Sequence, residues 1–119
     1  MHPTTALVVD DSEFMRMFHS CHLRSLGFQT QEAKNGQEAV QLHEEGKKFD
    51  VILMDYEMPI MNGAQATSRI REMGIQSVIL GVSGIDDETV RVNFVQSGLT
   101  EFFSKPLRRD MLIPYSRFA

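Results

Sequence analysis

The feature that most constrains the fold is residues 51–59, where the apolar run Val-Ile-Leu-Met leads directly into Asp55 and a turn follows. A short, continuous apolar run is typical of a strand that is buried on both faces of a parallel sheet. Pro59 has no N–H to donate to a neighbouring strand, so it ends this one. In open α/β sheets, ligands bind just beyond the carboxyl ends of the strands. We therefore expect Asp55 to lie at the functional edge of a parallel sheet.

Strands and helices alternate along the whole chain, without a linker or a repeat. The expected strands are residues 5–10, 28–33, 50–54, 77–82 and 101–104. The expected helices run from a cap at residue 11 or 12 to residue 26, and then over 37–45, 64–73, 86–97 and 107–111. Pro114 should break the last helix early, because proline cannot continue the helical hydrogen bonds. The alternation predicts an α/β fold with right-handed crossovers and helices on both faces of the sheet.

The spacing of apolar residues predicts which side of each helix faces the core. In the first helix the expected inward residues are Phe14, Phe18, Cys21 and Leu26. In the helix that ends before Gly98 they are Val90, Phe94 and Val95. Met15 falls beside the first stripe, and it is either a partly buried residue or part of an apolar rim around the acidic edge.

The length and charge of the chain limit its class. Its 119 residues suit one domain, so we expect 1–119 to be a single domain without an output domain. The net charge is −4 and no basic stripe occurs, which argues against a nucleic-acid partner. No apolar run approaches the ~18 residues that span a bilayer, so no membrane partner is expected. A single cysteine excludes an internal disulfide and fits a reducing compartment, the cytoplasm or alternatively the nucleus.

Polar residues follow four of the expected strands: Asp10-Asp11, Asp55, Ser83 and Lys105. Each has an ordinary explanation on its own, such as a helix cap or a turn. Together they would lie at one edge of the sheet, where three carboxylates repel one another. A divalent cation removes that conflict, and a ligand set made of oxygen favours Mg²⁺ or Mn²⁺. With Lys105 and Ser83 as donors to phosphate oxygens and Asp55 as a nucleophile, the set indicates phosphoryl transfer.

These residues resemble the receiver domain of response regulators in two-component and phosphorelay systems. The resemblance covers nearly the whole chain and is carried by Val8-Val9-Asp10-Asp11, by Asp55 with Met58-Pro59-Ile60-Met61-Asn62-Gly63, by Ser83-Gly84 and by Lys105-Pro106. It implies a flavodoxin-like, doubly wound (βα)5 fold with a five-stranded parallel sheet in the order 2-1-3-4-5. It also implies a protein that accepts a phosphoryl group from a phosphohistidine donor and then switches conformation.

The resemblance assigns roles in phosphoryl binding and switching. Asp55 matches the phosphoacceptor, and Ser83 and Lys105 match the residues that hold the phosphoryl oxygens. Phe102 matches the switch aromatic, which turns inward as Ser83 closes on the phosphate. Gly84 matches a small residue that leaves the site open.

The resemblance also assigns a metal site. Asp11 and Asp55 match direct Mg²⁺ ligands, Asp10 matches a ligand that acts largely through water, and the backbone carbonyl of Glu57 should complete the set. Glu57 and Ile85 occupy the two positions that tune dephosphorylation in the family. Because Ile85 cannot orient a water molecule, we expect slower hydrolysis of the phosphoaspartate than with an acidic residue there.

The expected partner is a histidine-containing phosphotransfer protein or a sensor histidine kinase. The resemblance places its docking surface on apolar residues around the acidic edge: Met15, Pro59, Ile85 and Pro106. The early end of the last helix weakens the face through which receivers dimerise, so a monomer is expected.

Within the family, residues 53–67 are similar to plant receivers, both the stand-alone type-C regulators and the receivers of hybrid histidine kinases. That likeness implies a phosphotransfer protein as donor and a cytokinin signalling context. Type-C regulators also suggest the alternative of a phosphohistidine phosphatase that drains phosphotransfer proteins through Asp55, so the question of enzymatic turnover stays open. A hydrolase of the haloacid dehalogenase type needs an Asp-x-Asp pair after its first strand, and this sequence has no such pair there. The complete acidic set argues against a pseudo-receiver that is not phosphorylated.

Overall fold

The computed structural model describes residues 4–116. Within this range the elements are β1 Thr5–Val9, α1 Glu13–Ser25, β2 Gln29–Ala33, α2 Gly36–Glu44, β3 Val51–Asp55, α3 Gly63–Glu72, β4 Val78–Ser83, α4 Glu88–Gln96, β5 Glu101–Ser104 and α5 Arg109–Leu112. All strand pairs are parallel, and the order in the sheet is β2-β1-β3-β4-β5. The predicted flavodoxin-like, doubly wound α/β fold is confirmed.

Strand β3 lies in the centre of the sheet, as its apolar sequence predicted. It pairs with β1 on one side and with β4 on the other, and all five of its residues are buried. The register with β4 sets Asp55 beside Val82 at the end of both strands. The Asp55 carboxylate is thereby held at the carboxyl edge of the sheet.

The core has two layers because successive strand residues point to opposite faces of the sheet. On one face, Ile52 belongs to a buried cluster with Ile70 of α3. On the other face, Leu53 belongs to a second cluster with Leu23 of α1 and Leu112 of α5. Helices therefore cover both faces of the sheet, which leaves the loops at its carboxyl edge free to carry a site.

The buried face of α1 differs from the predicted one. Phe14 is 64% exposed and Cys21 is also exposed, whereas Leu26 beyond the helix end is buried as expected. The buried residues of the helix are His19, Ser20 and Leu23. Two of these three side chains are polar, Phe18 is only half-buried and the Phe14 ring faces solvent, so apolar spacing indicated the wrong residues for the buried face. Met15 is partly buried.

Smaller differences concern the buried residues of α4 and the ends of β1 and β4. α4 buries two of its three predicted residues and leaves Val95 58% exposed. β1 ends at Val9, one residue before Asp10, although the Asp10 N–H still donates to a β2 carbonyl. β4 starts at Val78 and includes Ser83, so the Ser83 side chain projects from the last strand residue.

The C-terminal helix is short, as Pro114 predicted. α5 begins at Arg109 rather than at residue 107, has four residues, and passes into a single 3₁₀ turn, Ile113–Tyr115. Arg109 donates to Ser25 Oγ at 2.7 Å and so ties α5 to the end of α1. None of the helices in residues 4–116 has the length and apolar character needed to cross a membrane.

Candidate functional site

Three carboxylates converge at the carboxyl edge of the sheet. Asp10 and Asp11 follow β1 and Asp55 ends β3, and one carboxylate oxygen from each lies within 4.8 Å of the others. Asp10 and Asp55 are 2% and 3% exposed, whereas Asp11 is open to solvent. An all-oxygen set with one solvent-facing side fits Mg²⁺, which keeps several of its waters when bound. The predicted convergence of these three residues is therefore observed.

Lys105 joins the cluster from the end of β5. Its Nζ lies 2.8 Å from Asp55 Oδ1 and 3.1 Å from Asp10 Oδ2. Burial would lower the pKa of the Lys105 amine, but the Asp55 and Asp10 carboxylates outweigh it and raise that pKa above its ordinary value. The ammonium is thus a fixed positive charge between two buried carboxylates.

The acidity of Asp55 is strongly altered. The pKa of its carboxyl is raised from 3.8 to about 7, mainly by burial, with the charges of Asp10 and Glu57 acting in the same direction. Lys105 opposes the rise by donating a hydrogen bond and by its charge. In this environment the ionised Asp55 needs further positive charge, which is the condition a divalent cation would meet.

Two interactions that the sequence did not indicate hold Asp10 in place. Its Oδ1 accepts from the Ser12 N–H at 2.9 Å, and its backbone carbonyl accepts from Arg16 Nη1 at 2.8 Å. Arg16 also pairs with Glu32 at 3.0 Å. Arg16 lies on the second turn of α1, and no sequence pattern distinguishes it from an ordinary surface arginine.

Ser83 is fully buried, and its hydroxyl is already engaged. Ser83 Oγ donates to Glu57 Oε2 at 2.5 Å, and the Gly84 N–H donates to Glu57 Oε1 at 3.0 Å. The Ile85 N–H also donates to Ser83 Oγ at 3.0 Å. The sequence indicated only the backbone carbonyl of Glu57 as a ligand, and that role stays a prediction. The side-chain contact was not predicted because the direction of a loop side chain has no periodic signal.

The loop between β3 and α3 closes tightly below Asp55. The Gly63 N–H donates to the Tyr56 carbonyl at 3.0 Å, and Asn62 caps α3 by accepting from the Gln65 N–H. A Cβ at Gly63 would lie 2.2 Å from the Asp55 carbonyl oxygen, so only glycine fits there. The motif therefore sets the position of Asp55 through backbone contact.

Phe102 is half-buried on β5. Its ring meets Phe94 edge to face, with centroids 6.1 Å apart, and the Arg91 guanidinium lies 4.9 Å from its centroid. Arg91 also pairs with Asp86 in the loop before α4. The proposed switch aromatic is thus in contact with the helix that begins after Ser83.

The four residues predicted to bind a partner lie around the same edge. Met15 is in the first turn of α1, and Pro59, Ile85 and Pro106 lie in the loops after β3, β4 and β5. Met15 is partly buried and the other three are exposed, Ile85 by 49%. Their role in docking stays a prediction.

Known proteins share the sequence pattern of this chain. Residues 6–116 match the family model of the response regulator receiver domain. Two-component response regulator 24 of Arabidopsis thaliana is 47% identical over 92% of this chain and 78% of its own length. Two-component response regulator ARR22 of the same plant is 42% identical over 91% and 78%. The chain therefore belongs to the response regulator receiver domain family, and its likeness to plant response regulators is confirmed.

One solved structure with this fold contains a magnesium ion. The receiver domain of sensor histidine kinase PA1611 from Pseudomonas aeruginosa, with magnesium coordinated in its active-site cleft, is 30% identical and has a TM-score of 0.84. The alignment covers 95% of this chain and 93% of that one. Receiver domains generally bind Mg²⁺ and interact with histidine kinases or phosphotransfer proteins.

Proposed function

We propose that this chain accepts a phosphoryl group from a phosphohistidine donor onto Asp55 and changes conformation as a result. The observation that supports this most strongly is the convergence of Asp10, Asp11 and Asp55, with Lys105 between two of the carboxylates. A helix cap or an isolated ion pair would not need all four groups at one sheet edge.

In the proposed reaction, a carboxylate oxygen of Asp55 attacks the phosphorus of the phosphohistidine. A P–O bond forms as the P–N bond breaks, and the electron pair of that bond leaves with the imidazole, which then takes up a proton. Lys105 binds one phosphoryl oxygen and the Ser83 hydroxyl donates to another. Mg²⁺, held by Asp10, Asp11 and Asp55, would neutralise charge on the phosphoryl group.

The conformational change is proposed to begin at Ser83. When its hydroxyl turns to a phosphoryl oxygen, the loop after β4 moves with it, and the Phe102 ring follows into the space beside Phe94. This couples a new charge at the edge to the surface of α4 and β5.

The proposed partner is a histidine-containing phosphotransfer protein or a sensor histidine kinase, seated on Met15, Pro59, Ile85 and Pro106. The chain is proposed to act as a monomer, because its four-residue α5 offers little helical surface for a second copy. The cytoplasm is the proposed location, since a single cysteine suits a reducing compartment.

The test is phosphotransfer from a radiolabelled phosphotransfer protein to wild type and to Asp55→Asn, with Mg²⁺ and with a chelator. Label should appear on wild type with Mg²⁺. It should be absent from wild type with the chelator and from Asp55→Asn under both conditions. Label on Asp55→Asn would overturn the assignment. Phosphate released beyond one equivalent per protein would assign the phosphatase activity instead of a simple switch.

A further inference from the structure

The Glu57 carboxylate accepts hydrogen bonds from two donors, one at the last residue of β4 and one at the residue that follows it. Its Oε2 accepts from Ser83 Oγ at 2.5 Å and its Oε1 accepts from the Gly84 N–H at 3.0 Å. A carboxylate bound in this bidentate way has the same charge sign and acceptor geometry as two oxygens of a phosphoryl group. The site therefore already contains an anion supplied by its own chain.

Each of these donors has one hydrogen to give. The Ser83 hydroxyl cannot donate to Glu57 and to a phosphoryl oxygen at once, and the same holds for the Gly84 N–H. Ser83 is fully buried, so while Glu57 is in place water does not compete for its hydroxyl. Hydrogen bonds to a charged acceptor are stronger than neutral ones, so release of Glu57 has a cost.

We propose that Glu57 is a positioning residue that holds Ser83 and Gly84 in the resting arrangement and must be displaced when Asp55 is phosphorylated. This inference rests on the proposed function. Negative charge arriving on Asp55 repels the nearby Glu57 carboxylate and competes for its donors, so both effects act in the same direction. Substitution of the side chain leaves the Glu57 backbone carbonyl, the predicted metal ligand, in place.

The contact itself is tested without metal or phosphoryl group. In Glu57→Ala, the Gly84 amide proton loses its acceptor, so its NMR signal should move upfield and its exchange with water should quicken by about tenfold. Glu57→Gln should give an intermediate result, because its single amide oxygen can satisfy only one of the two donors. An unchanged Gly84 signal in Glu57→Ala would overturn the contact.

The consequence is tested by titrating beryllium trifluoride, a mimic of the phosphoryl group on aspartate, in the presence of Mg²⁺. Glu57→Ala should bind it about tenfold more tightly than wild type, since the competing anion is gone. The matched control is Glu13→Ala, which removes an exposed carboxylate at the start of α1 that touches neither donor. Equal or weaker binding by Glu57→Ala would overturn the inference.

A double-mutant cycle with Ser83→Ala separates competition for the hydroxyl from a general effect of charge. If Glu57 acts through Ser83, the gain from Glu57→Ala should shrink at least threefold in the Ser83→Ala background. A gain of the same size in both backgrounds, or an equal gain in Glu13→Ala, would assign the effect to net charge and overturn the inference. Failure of every variant and of wild type to bind beryllium trifluoride would overturn the proposed function, while the Gly84 signal would still report the contact.

Discussion

Lys105 Nζ lies 2.8 Å from Asp55 Oδ1, and this contact only partly offsets the cost of burying the carboxylate. The pKa of Asp55 remains raised to about 7, because burial and the charges of Asp10 and Glu57 outweigh the lysine. A buried carboxylate with a raised pKa contributes little to the stability of the fold while it is ionised. The site therefore stores unfavourable electrostatic energy that a cation or the loss of charge would release.

Asp55→Asn should stabilise the protein in buffer without metal. Because the pKa of Asp55 is raised on folding, its favourable contribution is present below about pH 4 and is lost as pH rises through about 7. Asparagine is neutral throughout, so the variant should exceed wild type by roughly 2 kcal/mol in free energy of unfolding at pH 8, and by less at pH 5. Urea unfolding with a chelator measures this.

The control for that experiment is Asp110→Asn, the same change at an exposed residue paired with Arg108. It should alter the free energy of unfolding by less than about 0.5 kcal/mol. If Asp55→Asn were less stable than wild type at pH 8, the electrostatic account of the site would be wrong.

His19 should make the fold sensitive to acid. The pKa of His19 is lowered from 6.5 to about 4, mainly by burial, and the positive charges of Lys105 and His22 contribute to this decrease. Protonation is thus disfavoured in the folded state, so stability is complete above about pH 6.5 and is lost as pH falls through about 4. His19→Leu should remove up to roughly 3 kcal/mol of this loss.

The measurement is the free energy of unfolding of wild type and variant at pH 7 and at pH 4.5. His22→Leu, one turn along the same helix and half-buried, is the control and should retain most of the acid loss, because burial of His19 is the largest cause of its lowered pKa. Parallel pH profiles for wild type and His19→Leu would contradict the prediction.

The sheet and the acidic edge were predictable because they depend on long-range regularities of the sequence. An apolar run such as that before Asp55 is interpretable without coordinates, since few arrangements bury both faces of a strand. Asp10, Asp55 and Lys105 then meet because parallel strands end at one edge. Which residues meet at this edge followed from the position at which each parallel strand ends.

Side-chain direction was not predictable in the same way. The predicted buried face of α1 was wrong, because His19 and Ser20 are buried although they are polar, while Phe14 is exposed although it is aromatic. The Glu57 contact with Ser83 depends on the path of a loop, which the loop sequence does not encode as a repeat. Such contacts follow from the packing of the finished fold.

Gly63→Ala should disturb the site through the backbone. The added Cβ would lie 2.2 Å from the Asp55 carbonyl oxygen and 2.8 Å from the Phe94 ring, so the loop after β3 must shift. We expect a loss of about 1–3 kcal/mol in free energy of unfolding, together with weaker Mg²⁺ binding. Chemical denaturation and Mg²⁺ titration test the two effects.

Gly84→Ala is the matched control, because its Cβ would meet only Glu57 Oε1 at 3.9 Å, an ordinary contact distance. Its free energy of unfolding should stay within about 0.5 kcal/mol of wild type. A Gly63→Ala protein as stable as Gly84→Ala would show that the loop can move without cost.

Arg91 should hold Phe102 in its present position. The guanidinium lies 4.9 Å from the ring centroid and is itself oriented by Asp86. Arg91→Met keeps a long side chain but removes the charge, so we expect a loss of about 0.5–1 kcal/mol in free energy of unfolding. The Phe102 ring should also become more mobile, which NMR relaxation of its side chain would detect. Arg108→Met, the same change at an exposed arginine that pairs with Asp110, should leave Phe102 unaffected. If Phe102 relaxed identically in both variants, its position would depend on the edge-to-face contact with Phe94 and not on the cation, and Arg91 would have no part in the switch.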